Sequence, residues 1–152
     1  MPEPQRTPIR DQALDQLARA AYSLSAADAR LRGRATRIAG ALSLTHARAL
    51  RVLAESGPLP VGQLAAATET TGAATTQLVN GLAAAGYVTR ERPATDKRSV
   101  LVTLTDAGRR RHEERQAVLT QSLDTALTHH DDNALAIATD VLRHLAAIYD
   151  QL

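Results

Sequence analysis

The feature that most constrains this chain is the stretch TRERPATDKRSVLVTLTDAG, residues 89–108, which changes from a strand pattern to a helical one. Val100, Val102 and Leu104 alternate with their neighbours at the two-residue period of a β-strand. An earlier strand and a charged turn precede them, and a helix is expected from Asp106 onward. The stretch therefore predicts a β-hairpin with a charged tip, whose stem packs against helices.

Helical patterns occupy most of the remaining chain. Apolar residues recur at spacings of three and four, the periodicity of a helix with one buried face. Thr45 is the expected N-cap of one helix and Gly57 its stop, while Gly86 supplies the left-handed cap of another. Gly33 weakens the first helix, which could be kinked or broken there. The predicted helices cover about residues 9–38, 45–57, 60–68, 72–85, 106–128 and 132–152.

Two of these helices are short and are joined by a tight turn, and the second ends in glycine, which is typical of a helix-turn-helix. The hairpin follows them directly, in the position of a wing. The predicted fold class is therefore mainly α with a small β-wing: a winged helix-turn-helix lobe plus a helical dimerisation region. Within a single domain spanning 1–152, the lobe is expected over 42–106 and the dimerisation helices over 10–38 and 110–152.

The core has to be aliphatic, because the 152 residues include 3 Tyr and no Phe or Trp. Ala-rich helices bury little area each, which favours covering their apolar faces with a second copy of the chain. A homodimer is therefore expected. No apolar run reaches the length of a membrane span or follows the N-terminus as a signal peptide would, so a cytoplasmic protein without membrane contact is predicted.

Neither a metal centre nor an active site is expected. The absence of Cys excludes disulfides and Cys-based zinc sites, and the five histidines form no H-x-x-x-H pair. The HHDD run at 129–132 is better interpreted as a helix stop followed by an N-cap at Asp131 or Asp132. No nucleophile elbow, phosphate-binding loop, HExxH or pair of catalytic carboxylates is present. The sequence therefore predicts a binding protein without a cofactor.

The distribution of charge indicates where nucleic acid would bind. The formal net charge is only +2, yet four of the 18 Lys and Arg residues lie on or beside the hairpin turn. Such a tip beside a helix-turn-helix predicts contacts with DNA phosphates and a groove. Base reading falls to uncharged residues, since Gln can pair with adenine and a Thr methyl can contact thymine. The predicted DNA-binding residues are Thr71, Gly72, Thr75, Thr76, Gln77, Asn80, Arg90, Arg92, Asp96, Lys97 and Arg98.

Three charged segments permit more than one interpretation. The hairpin tip is either a solvated turn, where Asp96 is favoured in any case, or a tip whose Arg98 enters the minor groove. RRRHEER, residues 109–115, either contacts phosphates or forms a solvated helix face with intrahelical ion pairs, and the second is favoured. RLRGRATR, residues 30–37, could contact phosphates, line a pocket for an anionic ligand or be solvated.

The arrangement resembles the MarR family of winged-helix transcriptional regulators. The resemblance rests on LTHARALRVLAESGPLPVGQLA, TTQLVNGLAAAGYVTR and above all DKRSVLVTLTDAG, which has the family's D-x-R, alternating hydrophobics and L-T-x-x-G. It covers about residues 10–150 and implies a homodimer on a palindromic operator, usually a repressor released by a small anionic or phenolic ligand. This recognition helix departs from the family pattern because it carries no Lys or Arg. We therefore expect greater reliance on the wing.

Two other functions are compatible with the same sequence. One is a winged-helix module that binds protein, with a degenerate DNA face. The other is a weakly specific DNA-binding protein without a small-molecule ligand. Binding to plain DNA at moderate salt distinguishes them, because a protein-interaction module would not bind.

Overall fold

The computed structural model describes residues 7–35, 37, 41–95 and 98–152. The described chain is mostly helical with one three-stranded antiparallel sheet, which confirms the predicted fold class. Its elements are α1 (Pro8–Ala35), α2 (Leu44–Ser56), β1 (Leu59–Pro60), α3 (Val61–Ala67), α4 (Gly72–Ala84), β2 (Val88–Glu91), β3 (Leu101–Leu104), α5 (Asp106–Ala126) and α6 (Asp132–Tyr149).

The chain divides into two compact units. One is formed by the two ends of the chain, Met1–Arg30 and Asp124–Leu152, and the other is the continuous segment Leu31–Leu123. The second unit contains α2, α3, α4 and the sheet. It therefore holds both the helix-turn-helix and the hairpin that the sequence predicts.

The core of the second unit is aliphatic, as the composition requires. Leu50 and Leu53 of α2 pack with Leu64 of α3, Leu82 of α4 and Val102 of β3, and each of these side chains is almost completely buried. Burying one such side chain stabilises the fold by about 1.5–3 kcal/mol. Because every element of the lobe contributes to this cluster, the core fixes the position of α4 relative to the hairpin.

The sheet has the order β1-β3-β2, so β3 lies in the middle. The hairpin pairs Arg90 with Val102, and β1 pairs Leu59 with Val102 on the other side. The sequence predicted the hairpin but not β1. A two-residue strand containing proline has no recognisable period, and proline is tolerated there because β1 is an edge strand.

Helix caps correct one boundary and confirm others. Ser43, and not Thr45, is the N-cap of α2, because its side chain accepts a hydrogen bond from the amide of His46. Gly57 ends α2 with a φ of 76° and Gly86 follows α4 with a φ of 79°, as predicted. Of the two candidates for the α6 N-cap, Asp131 accepts from Ala134 N at 2.8 Å.

The hydroxyl group of Thr105 links the start of α5 to Gly86, which lies just before the hairpin. Thr105 donates to the carbonyl of Gly86 at 2.7 Å and accepts from the amide of Gly108 at 3.0 Å. Thr105 therefore caps the N-terminus of α5 and also binds Gly86, which lies just after the recognition helix α4. Gly108 is buried against Tyr87, which explains why the L-T-x-x-G sequence needs both threonine and glycine.

The helices at the two ends of the chain bury little. Neither α1 nor α6 contains a buried residue, and α1 runs without a break through Gly33. No helix among the described residues is long and apolar enough to cross a membrane. The large apolar side chains exposed on α1 and α6 are Ile9, Leu14, Tyr22, Leu24, Leu135, Ile137, Leu142, Ile148 and Tyr149.

Candidate nucleic-acid interface

Helix α4 presents the predicted base-reading residues on an exposed face. Thr71 is its N-cap, with a side chain that accepts from Ala74 N at 3.2 Å. Thr76, Gln77 and Asn80 are exposed on the helix that follows. Gly72 is the first helical residue, where amides precede the first intrahelical hydrogen bond and can approach an anion.

Thr75 does not lie on this face, in contrast to the expectation from the sequence. Its side chain is completely buried. The hydroxyl donates to the Thr71 carbonyl at 2.8 Å and lies 2.7 Å from Thr70 Oγ1, which in turn lies 2.8 Å from Thr68 Oγ1. Thr75 therefore stabilises the turn between α3 and α4, and its buried side chain does not read bases.

Thr76 has a more restricted chemistry than its residue type suggests. Its hydroxyl donates to the carbonyl of Gly72 at 3.1 Å, so the hydrogen is used within the helix. The methyl group and the oxygen lone pairs are what the side chain can offer to DNA. This favours an apolar contact with a thymine methyl, as expected for threonine in a major groove.

A concavity of about 570 Å³ lies between α4 and the hairpin. Thr76 and Asn80 line it from α4, Arg90 and Arg98 from the hairpin, and Val61 from the start of α3. The structure therefore brings four of the predicted DNA-binding residues to one surface. We call this surface the α4–wing face. Gln77 is exposed on α4 but does not line the concavity.

Arg90 is connected directly to the recognition helix. Its Nη1 donates a hydrogen bond to Oδ1 of Asn80. The two residues are ten positions apart and belong to different elements, so no local spacing in the sequence could have predicted the pair. Arg92, by contrast, lies just after β2 with an exposed side chain. Asp96 and Lys97 lie outside the described residues.

Helices α2 and α5 border a second, smaller cavity of about 270 Å³. Arg48, Arg51 and Arg115 line it with His112, alongside the apolar side chains of Leu44 and Leu119. Arg48 lies 3.5 Å from Glu69, and Arg51 lies 2.9 Å from Glu55, both in exposed ion pairs. Cationic groups beside an apolar wall suit a small molecule that carries a carboxylate.

His46 contacts the recognition helix from α2. Its ring is half-buried, Nδ1 lies 2.7 Å from Ser43 Oγ, and Nε2 faces Gly81 of α4. Burial lowers the pKa of His46 below its ordinary value of 6.5, because the charged ring would lose its hydration. Within the part of the chain that the structure describes, no three His, Asp or Glu side chains are arranged to hold a metal ion.

The fold and the α4–wing face define a winged helix-turn-helix transcriptional regulator. Residues 42–99 match the model of the MarR family. A probable transcriptional regulator from Pseudomonas aeruginosa is 27% identical, with a TM-score of 0.70, over 86% of this chain and 97% of that one. The family match is confined to the lobe, and the fold is shared with this regulator over most of the chain. This confirms the resemblance seen in the sequence.

Two other solved structures share the fold. BldR from Sulfolobus solfataricus is 25% identical, with a TM-score of 0.67, over 97% of this chain and all 100% of that one. BpsR from Bordetella bronchiseptica is 21% identical, with a TM-score of 0.66, over 88% and 98% of the two chains. No curated protein matches the sequence significantly. The Pseudomonas aeruginosa protein and BldR are both transcriptional regulators, which agrees with the expectation of a DNA-binding protein and not an enzyme.

Proposed function

We propose that this protein is a sequence-specific DNA-binding homodimer that represses transcription from a palindromic operator in the cytoplasm and responds to a small anionic ligand. The observation that carries this proposal is the α4–wing face, where exposed polar residues of a recognition helix meet arginines of a hairpin. Polar side chains on a helix can read base edges, and the arginines supply the attraction to phosphates.

The exposed apolar side chains of α6 support the homodimer. Leu135, Leu142 and Tyr149 follow one another at intervals of seven residues and therefore lie on one side of the helix. Each is at least 38% exposed in the single chain. An apolar stripe of this length is normally covered by a partner, and a second copy offers the same stripe. A twofold dimer in turn favours an operator with twofold sequence symmetry.

Sedimentation tests the dimer with a matched pair of variants. Leu142→Glu places a charge in the stripe, whereas Asn133→Glu adds the same charge on the opposite side of α6. We expect the wild type and Asn133→Glu to sediment as dimers at micromolar concentration and Leu142→Glu to dissociate. A stable wild-type monomer under these conditions contradicts the dimer.

The cavity between α2 and α5 supports response to an anionic ligand. The DNA binding of BpsR is regulated by 6-hydroxynicotinic acid, and the cavity here offers arginines for a comparable carboxylate. Salicylate titrated at constant ionic strength should lower operator affinity by about 1–3 kcal/mol. Arg115→Gln should weaken this response, whereas Arg110→Gln, exposed on the same helix, should not. Unchanged DNA affinity with a panel of such acids contradicts the ligand response.

Selection from a pool of random duplexes tests the DNA-binding function itself. We expect the full-length protein to enrich a palindromic sequence and to bind it more tightly than a scrambled duplex in fluorescence anisotropy. Equal affinity for the two duplexes would favour a weakly specific DNA-binding protein. The absence of binding at moderate salt would favour a protein-interaction module.

A further inference from the structure

The hydrogen bond between Arg90 and Asn80 carries an inference about which base this protein selects. We infer that Arg90 is the base-reading arginine of the α4–wing face, that Asn80 positions it, and that its target is a guanine in the major groove. This inference rests on the proposed DNA-binding function. The recognition helix α4 contains no Lys or Arg that could read guanine. Arg90, which lies on strand β2, would perform this role instead.

The sheet directs Arg90 toward the helices. Val88 and Arg90 are two residues apart on β2 and therefore point to the same face of the sheet. Val102, directly opposite Arg90 on β3, points to that face as well and is completely buried. The face that carries Arg90 is thus the one that packs on the helices. The arginine extends along α4 to Asn80, whereas Thr89 and Glu91 point to the other side.

The hydrogen bond also determines which chemistry remains available to DNA. A guanidinium has five N–H donors and no acceptor, and Asn80 Oδ1 takes up one of them. Two parallel donors of the same planar group can still bind O6 and N7 of guanine, the only base that presents two acceptors on its major-groove edge. Adenine would oppose one of these donors with its own amino group. The pair therefore selects guanine.

A phosphate contact is the competing role for Arg90, and it predicts a different pattern. A phosphate carries no sequence information, so its loss weakens binding equally to every duplex and lowers the salt dependence. Arg92 is the matched control because it is exposed just beyond β2 and carries the same charge. Arg90→Lys keeps the charge at position 90 but removes the planar fork.

The experiment is a selection from random duplexes with the full-length wild type and with Arg90→Lys, Arg90→Ala, Asn80→Ala and Arg92→Ala. We expect a guanine in each half-site of the wild-type sequence. Arg92→Ala should select the same guanine while binding every duplex more weakly, because a phosphate contact carries no sequence information. Arg90→Ala should lose this preference, and Arg90→Lys should weaken it because an ammonium donates to O6 and N7 without the planar fork. Asn80→Ala should reduce the preference while the thermal midpoint and the salt dependence stay unchanged. A guanine preference that survives in Arg90→Ala overturns the inference.

Atomic substitution in the DNA then tests the contact itself. Replacing the selected guanine by 7-deazaguanine removes N7 without altering base pairing. Wild-type affinity should fall about 5- to 150-fold, and the affinity of Arg90→Ala should be insensitive to the change. Equal sensitivity of the two proteins overturns the inference alone. If the wild type shows no preference among duplexes at all, the proposed function fails and the inference fails with it.

Discussion

Gly108 of α5 lies against the carbonyl oxygen of Tyr87 so closely that a β-carbon at position 108 would be 2.1 Å from that oxygen. The same β-carbon would lie 2.8 Å from Cδ1 of Leu104. The Tyr87 carbonyl also accepts a hydrogen bond from the amide of Thr105 at 3.0 Å. Moving the carbonyl away from position 108 would break this hydrogen bond. This contact sets the distance between α5 and the start of the wing.

Gly108→Ala should therefore destabilise the lobe by about 1–3 kcal/mol or more, because backbone has to shift to admit one methyl group. Gly81→Ala is the control. Its nearest neighbour would be Nε2 of His46 at 3.6 Å, an ordinary contact, and Ala is favoured over Gly within a helix. The control should stabilise the protein by about 0.4–1 kcal/mol. Urea unfolding at one fixed protein concentration measures both changes, and equal effects would refute the close contact.

His46 should make the stability of the lobe depend on pH. Its pKa is lowered in the folded state by burial, so the unfolded chain binds more protons as the pH falls below 6.5. The contribution of this residue is therefore fully present above pH 6.5 and is lost as the pH falls through the lowered pKa. Ser43 Oγ already accepts the His46 amide, which leaves its hydrogen for the neutral Nδ1.

Unfolding between pH 7.5 and 5 measures this dependence. We expect His46→Gln to flatten the decrease in the free energy of unfolding over that range. His129→Gln, which changes an exposed histidine, should leave the slope as it is in the wild type. Identical slopes for the wild type and His46→Gln would show that this histidine does not couple to folding.

Thr76→Ala and Gln77→Ala should relax sequence preference while non-specific binding stays nearly intact. Both side chains are exposed on α4, and a good base contact contributes about 1–3 kcal/mol of discrimination. Anisotropy with operator and scrambled duplexes measures the ratio of affinities. Gln16→Ala, exposed on α1, should keep the wild-type ratio. Retention of that ratio by both α4 variants would mean that the reading surface lies elsewhere.

Arg98→Ala should lower operator affinity at least tenfold, since a dimer loses two arginines at once. Arg98→Lys should restore affinity only partly, because a narrow minor groove favours arginine. The slope of log affinity against log salt should become shallower by about one to two. A salt series with operator DNA measures this. Arg19→Ala, on α1, should change neither quantity, and an unchanged Arg98→Ala protein would indicate a solvated turn.

Local signals explain why much of the fold could be predicted. The recognition helix was expected over 72–85 and is observed at Gly72–Ala84, because Thr71 before it and Gly86 after it are caps whose chemistry is readable in the sequence. Strand β1 depends instead on pairing with β3, more than forty residues away, and Leu59–Pro60 gives no local indication of it. The sequence pattern therefore could not predict the pairing of β1 with β3.

In the candidate site, too, local spacing could predict some features and non-local contacts could not be predicted. Thr75 has the spacing of the buried positions Leu78, Val79 and Leu82, so helical periodicity could have assigned it to the core. The chemistry of threonine, whose methyl group can contact thymine, favours the DNA-reading surface instead. The pairing of Arg90 with Asn80 had no such signal, because it depends on which face of a strand meets which face of a helix.

The hydroxyl of Thr105 restricts which amino acids this position can hold. The group donates to Gly86 and accepts from Gly108 at the same time. Aspartate and asparagine are good N-caps elsewhere, but an ionised carboxylate has no hydrogen to donate, and an amide would have to serve both partners from different atoms. Serine preserves both hydrogen bonds. In a saturation library selected for folding, position 105 should therefore retain Thr and Ser and lose even the isosteric Val.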